Sequence, residues 1–320
     1  MDIAVSINQN YLMPSGVMLC SLFENNKEEQ IVVHALLGRD GEKCKHPLEE
    51  IISKYDQKII FYDMAHVQMD DFPVGLKFQE SFITKEAYFR LFLMNVLPQD
   101  IDKVLYLDSD IIICRSIYEL WNEDICNVAI GAVPDGFHQD IHETNRVGYE
   151  VGLGIFNSGV LLINLKYWRE HNVMDDFLSY AKKNKNNLKY HDQDILNYVF
   201  RYRKKELPIR FNLQTIHMYH DRFRYLHFHF FEEIKDAFRN PVVIHFTGPD
   251  KPWYSNAYHP LKEYFEKYRK MTQWKSVPLR RRHISLRWKL NHLLICILRM
   301  DMHFHASYFD PYFRNYERVL

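Results

Sequence analysis

Lys103-Val104-Leu105-Tyr106-Leu107-Asp108-Ser109-Asp110-Ile111-Ile112-Ile113 sets two aspartates, one residue apart, inside an apolar run of strand length and strand composition. Ionised carboxylates next to a buried strand must be paired or bound to a cation. The stretch therefore predicts a divalent-metal site at the end of a core strand. The rest of the chain decides what such a metal would hold.

Upstream, Ile3 to Ile7 predicts a short strand that ends in Asn8-Gln9-Asn10-Tyr11, and Pro14 and Ser15 open a helical pattern carrying Val17, Leu19, Leu22 and Phe23. Ile31 to Leu37 follows as a strand, Pro47 to Lys54 as a helix with Leu48, Ile51 and Ile52 inward, and Lys58 to Tyr62 as a third strand. This alternation predicts an α/β fold, a mostly parallel sheet flanked on both faces by helices. Ligands of such sheets bind beyond the carboxyl ends of the strands, so Asn8, Asn10 and Asp108 belong on one rim. Ser81 to Met94 predicts a helix bearing Tyr88 and Arg90, with Leu91 and Phe92 packed inward.

Downstream, Val128 to Val133 predicts a strand ending in Pro134-Asp135-Gly136, and Gly148 to Gly154 an irregular glycine-bearing segment. Ile155 to Asn164 is expected to be a buried strand with polar residues at its mouth. Tyr167 to Asn184 and His191 to Phe200 are expected to be helices, the second beginning His191-Asp192-Gln193-Asp194. A last core strand, Val242 to Phe246, leads into Thr247-Gly248-Pro249-Asp250-Lys251-Pro252-Trp253. No internal repeat, low-complexity tract or P-loop interrupts this order.

The chain of 320 residues, 47% hydrophobic and 15% aromatic, can bury a full core, which excludes a disordered protein and suits one large domain with an appendage. Net charge is zero but uneven. Residues 275–300 hold seven Lys/Arg and no acid and the last twenty residues are at −1, which leaves residues 1–274 at −6. An acidic body with a basic end argues against a general nucleic-acid binder and for a local attraction to something anionic. Five cysteines without a C-x-x-C pair suit a reducing compartment and argue against zinc. The first residues lack the pattern of a signal peptide, and no apolar run approaches the ~20 residues that span a bilayer. The expected location is cytoplasmic, soluble or peripheral on the inner face of the plasma membrane. After Pro278, Arg280-Arg281-Arg282 precede Leu286, Leu290, Leu293, Leu294 and Ile297 at helical spacing, a basic amphipathic pattern that suits an anionic membrane surface. The bland alternative is a helix packed on the main domain.

Four blocks in order carry a resemblance: Asp108-Ser109-Asp110 after its strand, Phe156-Asn157-Ser158-Gly159-Val160-Leu161-Leu162-Ile163-Asn164, His191-Asp192-Gln193-Asp194-Ile195-Leu196-Asn197, and His245-Phe246-x-Gly248-Pro249-x-Lys251-Pro252-Trp253. Over residues 1–270 the chain resembles the family 8 retaining glycosyltransferases, which include bacterial lipopolysaccharide glucosyl- and galactosyltransferases. A lone D-x-D is weak evidence, whereas four blocks in sequence are specific. The resemblance implies a GT-A fold over residues 1–270 with a basic C-terminal appendage over 271–320. It also implies a UDP-hexose donor and a glycan or glycolipid acceptor. Mn²⁺, with Mg²⁺ as the alternative, would be held by Asp108, Asp110 and His245, and Lys251 would reach the same phosphates without competing for the metal. The family's uridine-contacting turn falls on Asn8, Asn10 and Tyr11, with Asn8 standing where many relatives carry aspartate. Arg90 falls near the donor's sugar and phosphates, and Ser109, Ser158 and Gly248 fall among the donor-binding positions. Asp135, Asn157, Asp192 and Gln193 match positions that hold the sugar hydroxyls or lie beside the anomeric carbon, with Asp192 and Gln193 as the catalytic candidates.

Bland readings stand beside these. His245 could be a satisfied core histidine, Asn157 a strand-end cap, and Arg90 a helix partner of Glu86. Asp194 suits a cap or structural acid better than a catalyst. Two other function classes also fit a D-x-D: a haloacid-dehalogenase-like phosphohydrolase using Mg²⁺, and a sugar-nucleotide binder without turnover.

Overall fold

A computed structural model describes residues 1–73, 77–78, 81–82, 85–218, 230–257 and 259–282. Twelve strands occur among them: β1 (Asp2–Ile7), β2 (Val32–Leu37), β3 (Lys58–Asp63), β4 (Lys77–Phe78), β5 (Ser81–Phe82), β6 (Lys103–Leu107), β7 (Ile111–Ile113), β8 (Ile130–Pro134), β9 (Phe156–Asn164), β10 (Lys204–Glu206), β11 (Leu213–Gln214) and β12 (Val243–His245). The helices are α1 (Leu12–Glu24), α2 (Glu42–Ile52), α3 (Leu93–Val96), α4 (Tyr118–Trp121), α5 (Ile141–Val147), α6 (Leu165–Glu170), α7 (Val173–Lys183), α8 (Asp192–Val199), α9 (Phe230–Arg239) and α10 (Lys262–Arg269).

Seven strands form the main sheet in the order β10-β8-β9-β6-β1-β2-β3, and β9 alone runs against the rest. Residues Ile3, Val5 and Ile7 of β1 face one apolar core with α1 and α2, while Ala4 faces a second core with α6, α7 and α8. Burial on both faces explains why these strands read as continuous apolar runs rather than alternating ones. Because β9 is antiparallel, its first residues lie at the same rim as the last residues of β6: Leu107 pairs with Val160, and Asp108 N–H donates to the Gly159 carbonyl at 2.9 Å. A second sheet, β11-β12-β7, pairs β12 antiparallel to β7 with His245 opposite Ile111. That pairing carries the late histidine to the Asp-Ser-Asp turn.

Several expected elements change. Ser81 to Met94 is not one α-helix: β5 is followed by a 3-10 helix over Lys85–Phe92 and then by α3. The tighter winding stacks side chains every third residue and turns Arg90 inward. The helix expected over Tyr167 to Asn184 is two, α6 and α7, broken where Asn172 adopts a left-handed backbone at φ 47°. Helix α2 starts at Glu42, upstream of Pro47. Helix α1 starts at Leu12, so Pro14 sits in its first turn, where its missing N–H costs nothing.

Residues past α10 stay on the domain as far as they are described. Trp274 and Ile51 both close on Gly16, Arg280 bridges Tyr254, and Arg282 N–H donates to Asn256 Oδ1 at 2.8 Å. Of the expected basic helix, everything from His283 onward lies outside the described residues. No described helix is long and apolar enough to cross a membrane.

Candidate functional site

The Asp-Ser-Asp turn is held from inside by its serine. Ser109 Oγ donates to the Ser6 carbonyl at 2.9 Å and accepts from Ser15 Oγ at 2.9 Å, which ties the turn to β1 and α1 and leaves the flanking carboxylates facing out of the core. Across from them β12 delivers His245, whose Nε2 lies 3.2 Å from Asp110 Oδ1 and 3.8 Å from Asp108 Oδ2. One ligand atom from each of the three residues falls within 4.8 Å of the others. Two carboxylates and an imidazole form a set that takes a divalent transition ion more readily than Mg²⁺, which keeps to oxygen and water. The backbone is shaped for this closeness: a Cβ on Gly159 would overlap the His245 ring and come within 2.8 Å of Asp108 Oδ2. The residues present therefore fit a cation.

Lys251 departs from the expectation that it leaves the metal ligands alone. Its ammonium contacts Asp110 Oδ2 and donates to the Phe246 carbonyl at 2.6 Å, because the β12–β7 pairing sets Phe246 beside Asp110. Lysine and cation would share one carboxylate. Tyr11 stands next to this group, edge-on to Trp253 at 5.5 Å, and Asn8 caps the turn by accepting from Tyr11 N–H at 3.1 Å. Asn10 is exposed beside them. Gly248 takes a left-handed φ of 77°, which only glycine adopts readily, in the loop between His245 and Lys251.

Arg90 does not pair with Glu86. It is buried, donates to Asp108 Oδ1 at 2.8 Å, pairs with Asp192 Oδ2 at 3.1 Å, contacts the Ser158 carbonyl, and lies over the Tyr106 ring at 4.3 Å. One guanidinium thus joins the metal ligands to the second half of the site.

That second half comes from β8, β9 and the first turn of α8. Ser158 Oγ donates to Asp192 Oδ2 at 3.0 Å, and Ser158 N–H donates to Gln193 Oε1 at 3.0 Å. Asn157 and Gln193 both donate to Asp135 Oδ2, at 3.3 and 3.4 Å. Burial pushes Asp135 up, and it pushes Asp192 up to about 6 against the opposing pull of Arg90. Helix α8 is entered through His191 at φ 52°, ψ −111°, a strained backbone for a side chain with a Cβ. His191 Nδ1 hydrogen-bonds Tyr88 Oη at 2.8 Å, and Asp194 accepts from Lys189 and Tyr190 N–H at 2.7 and 3.0 Å. Asp194 is also clasped by Arg146 at 2.6 and 2.8 Å, which makes it a structural acid.

Thirteen of the fifteen expected residues are joined by contacts along this rim, while Asn10 and Gly248 lie in its loops without a contact to the others. Three participants went unread in the sequence: Gly159, Tyr106 beneath Arg90, and Asn212, whose amide touches both His245 and Asn157 at 3.0 Å. The signal for Asn212 was a polar amide set in Ile209-Arg210-Phe211-Asn212-Leu213, a place where a buried polar group demands a partner. A separate cavity of about 450 Å³ opens at the opposite ends of the strands, lined by residues including Asp2, His34, Lys103 and Trp121. His34 there bridges Asp2 and Tyr62, and Lys103 caps the Trp121 carbonyl, so those groups serve one another.

A family model described as glycosyl transferase family 8 matches residues 2–257. The chain is 29% identical over 290 residues to general stress protein A of Bacillus subtilis, covering 87% of this chain and 96% of that protein. It is 27% identical over 287 residues to a lipopolysaccharide 1,2-glucosyltransferase of Escherichia coli, covering 88% of this chain and 81% of that one. Among solved structures, a galactosyltransferase, LgtC, crystallised with donor and acceptor sugar analogs, is similar with a TM-score of 0.76 at 26% identity, over 90% of this chain and 99% of that one. The mixed α/β architecture with its mostly parallel sheet is the GT-A arrangement.

Proposed function

Because the chain belongs to glycosyl transferase family 8, we propose that it moves a hexose, glucose or galactose, from a UDP-sugar to an acceptor hydroxyl with retention of anomeric configuration. The acceptor is a lipopolysaccharide or another cell-surface glycan, as the name of the Escherichia coli relative suggests. One observation carries the reading: a three-ligand cation site adjoins a buried cluster of carboxylates and amides on a single sheet rim. Such groups accept and donate in fixed directions, as a dense array of sugar hydroxyls requires.

A divalent cation held by Asp108, Asp110 and His245, Mn²⁺ by the chemistry of the set, would offset the negative charge that develops on the departing diphosphate. Lys251 adds a positive charge on the same side, and Asn8, Asn10, Tyr11 and Gly248 border the nucleotide. Asp135, Asn157 and Ser158 take the sugar hydroxyls. Arg90 keeps Asp108 and Asp192 at a constant separation, so the nucleotide and sugar halves stay aligned. Among the described residues of this half no carboxylate stands free as a nucleophile: Asp192 Oδ2 is held by Arg90 and Ser158, Asp135 by Asn157 and Gln193, Asp194 by Arg146, and Gln193 is an amide. The route is front-face attack. The acceptor oxygen bonds to the anomeric carbon as the bond to the phosphate oxygen breaks, and that phosphate oxygen takes the acceptor's proton.

The decisive experiment is a UDP-sugar hydrolysis panel with and without Mn²⁺, comparing wild type with Asp110→Ala. Metal-dependent release of UDP from one hexose donor, lost in the variant, is expected. Release of phosphate from phosphomonoesters instead would revive the phosphohydrolase, and donor binding without turnover would leave a sugar-nucleotide binder. We further place the enzyme on the inner face of the plasma membrane, drawn to anionic lipid by the basic residues of 275–300. Sedimentation with anionic liposomes should fall when residues 275–320 are deleted; equal sedimentation refutes this placement.

A further inference from the structure

A chain of three amides and one backbone N–H links the two halves of the rim, and it leaves little choice about where the protons lie. It starts at Gly159, whose main-chain N–H can only donate, and which donates to Asn157 Oδ1 at 3.0 Å. Asn157 must then present its oxygen on that side and its Nδ2 to Asp135 and to Gln193 Oε1. The same Asn157 oxygen meets the Asn212 amide at 3.0 Å, so Asn212 must present Nδ2 there and its own oxygen on the other side. That oxygen faces His245 Nδ1 at 3.0 Å. An oxygen needs a donor opposite it, so Nδ1 carries the proton. The Nε2 lone pair is then directed at the carboxylates of Asp110 and Asp108, 3.2 and 3.8 Å away. Lone pair against anionic oxygen is repulsive, and a cation between them relieves it.

We propose that Asn212 is a positioning residue: anchored through Asn157 by the Gly159 backbone, it holds His245 in the Nδ1–H tautomer, with Nε2 free to ligate a divalent cation. The inference rests on the metal-site reading and deepens it. Its partners are rigid. Asn212 is fully buried, Gly159 belongs to β9, an interior strand paired on both sides, and no exposed side chain takes part in the relay. A ligand histidine aimed by a buried acceptor keeps its ring orientation and loses no affinity to the wrong tautomer.

The test measures Mn²⁺ binding by calorimetry on the full chain without donor, so turnover does not enter. Asn212→Leu, which removes the acceptor, should weaken binding by about 10–100-fold. Asn212→Asp keeps an acceptor for Nδ1 while losing the donor to Asn157; it should hold affinity within about threefold although it melts lower. Equal binding by wild type and Asn212→Leu, or an equal loss in both variants, overturns the inference and leaves the metal site standing. A wild type that takes up no Mn²⁺ overturns the metal reading and this inference together. A second readout needs no variant: ¹⁵N NMR of labelled histidine in the wild type should assign the proton of His245 to Nδ1. A neutral ring protonated on Nε2 refutes the relay outright.

Discussion

Asp110 and Asp192 are the same side chain on the same rim, and their surroundings drive them in opposite directions. Burial raises both. At Asp110 the Lys251 ammonium overcomes it and holds the carboxyl below its usual range. At Asp192 burial prevails over Arg90, which is shared with Asp108, and the carboxyl is pushed up to about 6. The half around Asp110 is thus a fixed anion beside an ammonium, the environment that the proposed cation and diphosphate call for. The half around Asp192 is built of acids and amides that hydrogen-bond one another, the environment that the proposed sugar hydroxyls call for. Pushing like groups apart by environment is how one site supports two tasks.

The largest expected effect falls on the joint between the halves. Arg90→Lys keeps a charge but cannot reach Asp108 and Asp192 together, and catalytic efficiency should drop about 10²-fold or more. The free energy of unfolding should fall by roughly 3 kcal/mol, since breaking a buried pair leaves uncompensated charge. Steady-state kinetics and urea melts measure both; efficiency within tenfold of wild type would mean that the halves work without the bridge. Next comes Gly159→Ala, whose methyl meets the His245 ring and Asp108. Mn²⁺ affinity by calorimetry should weaken about tenfold or more, at a stability cost of about 1–3 kcal/mol. Unchanged affinity would show the metal half to be more yielding than its packing indicates.

The contrast in acidity is tested directly by Asp192→Asn. A folded-state value near 6, above 3.8 for the unfolded chain, means the native protein binds the proton more tightly. The contribution of Asp192 to stability is therefore complete below pH 3.8 and is lost as pH rises through about 6. Removing the group should make the slope of unfolding free energy against pH, between 4 and 6, more positive by up to about 1.4 kcal/mol per unit. Parallel slopes in wild type and variant would erase the contrast. The smallest effect belongs to Ser109→Ala, which loses its bonds to Ser6 and Ser15: about 1 kcal/mol of stability, with Mn²⁺ affinity changed less than threefold. A large loss of affinity would give the serine a role in ligation.

Strands β1, β2, β6, β8 and β9 and the Asp-Ser-Asp turn were legible because burial on both faces leaves continuous apolar runs, against which two aspartates stand out, whereas the short β10 and β11 carry no such run. The 3-10 winding of Lys85–Phe92 was not, since a pattern such as Tyr88-Phe89-Arg90-Leu91-Phe92 satisfies either helix and only packing selects the tighter one. Lys251 was read as a phosphate ligand from its block, but its contact with Asp110 depends on where Phe246 comes to lie. Asn212 carried a faint sign as an amide amid apolar neighbours, without any hint of which histidine it would meet.

By itself the sequence determined a parallel-strand α/β body, a rim bearing Asn8 and Asp108, and a pair of carboxylates too costly to bury without a cation. The resemblance named His245 as their companion; only the tertiary structure decided how its ring reaches them, which amide faces its other nitrogen, and which acids are held down and which pushed up. The physical reason is that composition and periodicity are local, whereas the antiparallel pairing of β12 with β7 and the desolvation of a side chain depend on segments distant in the chain.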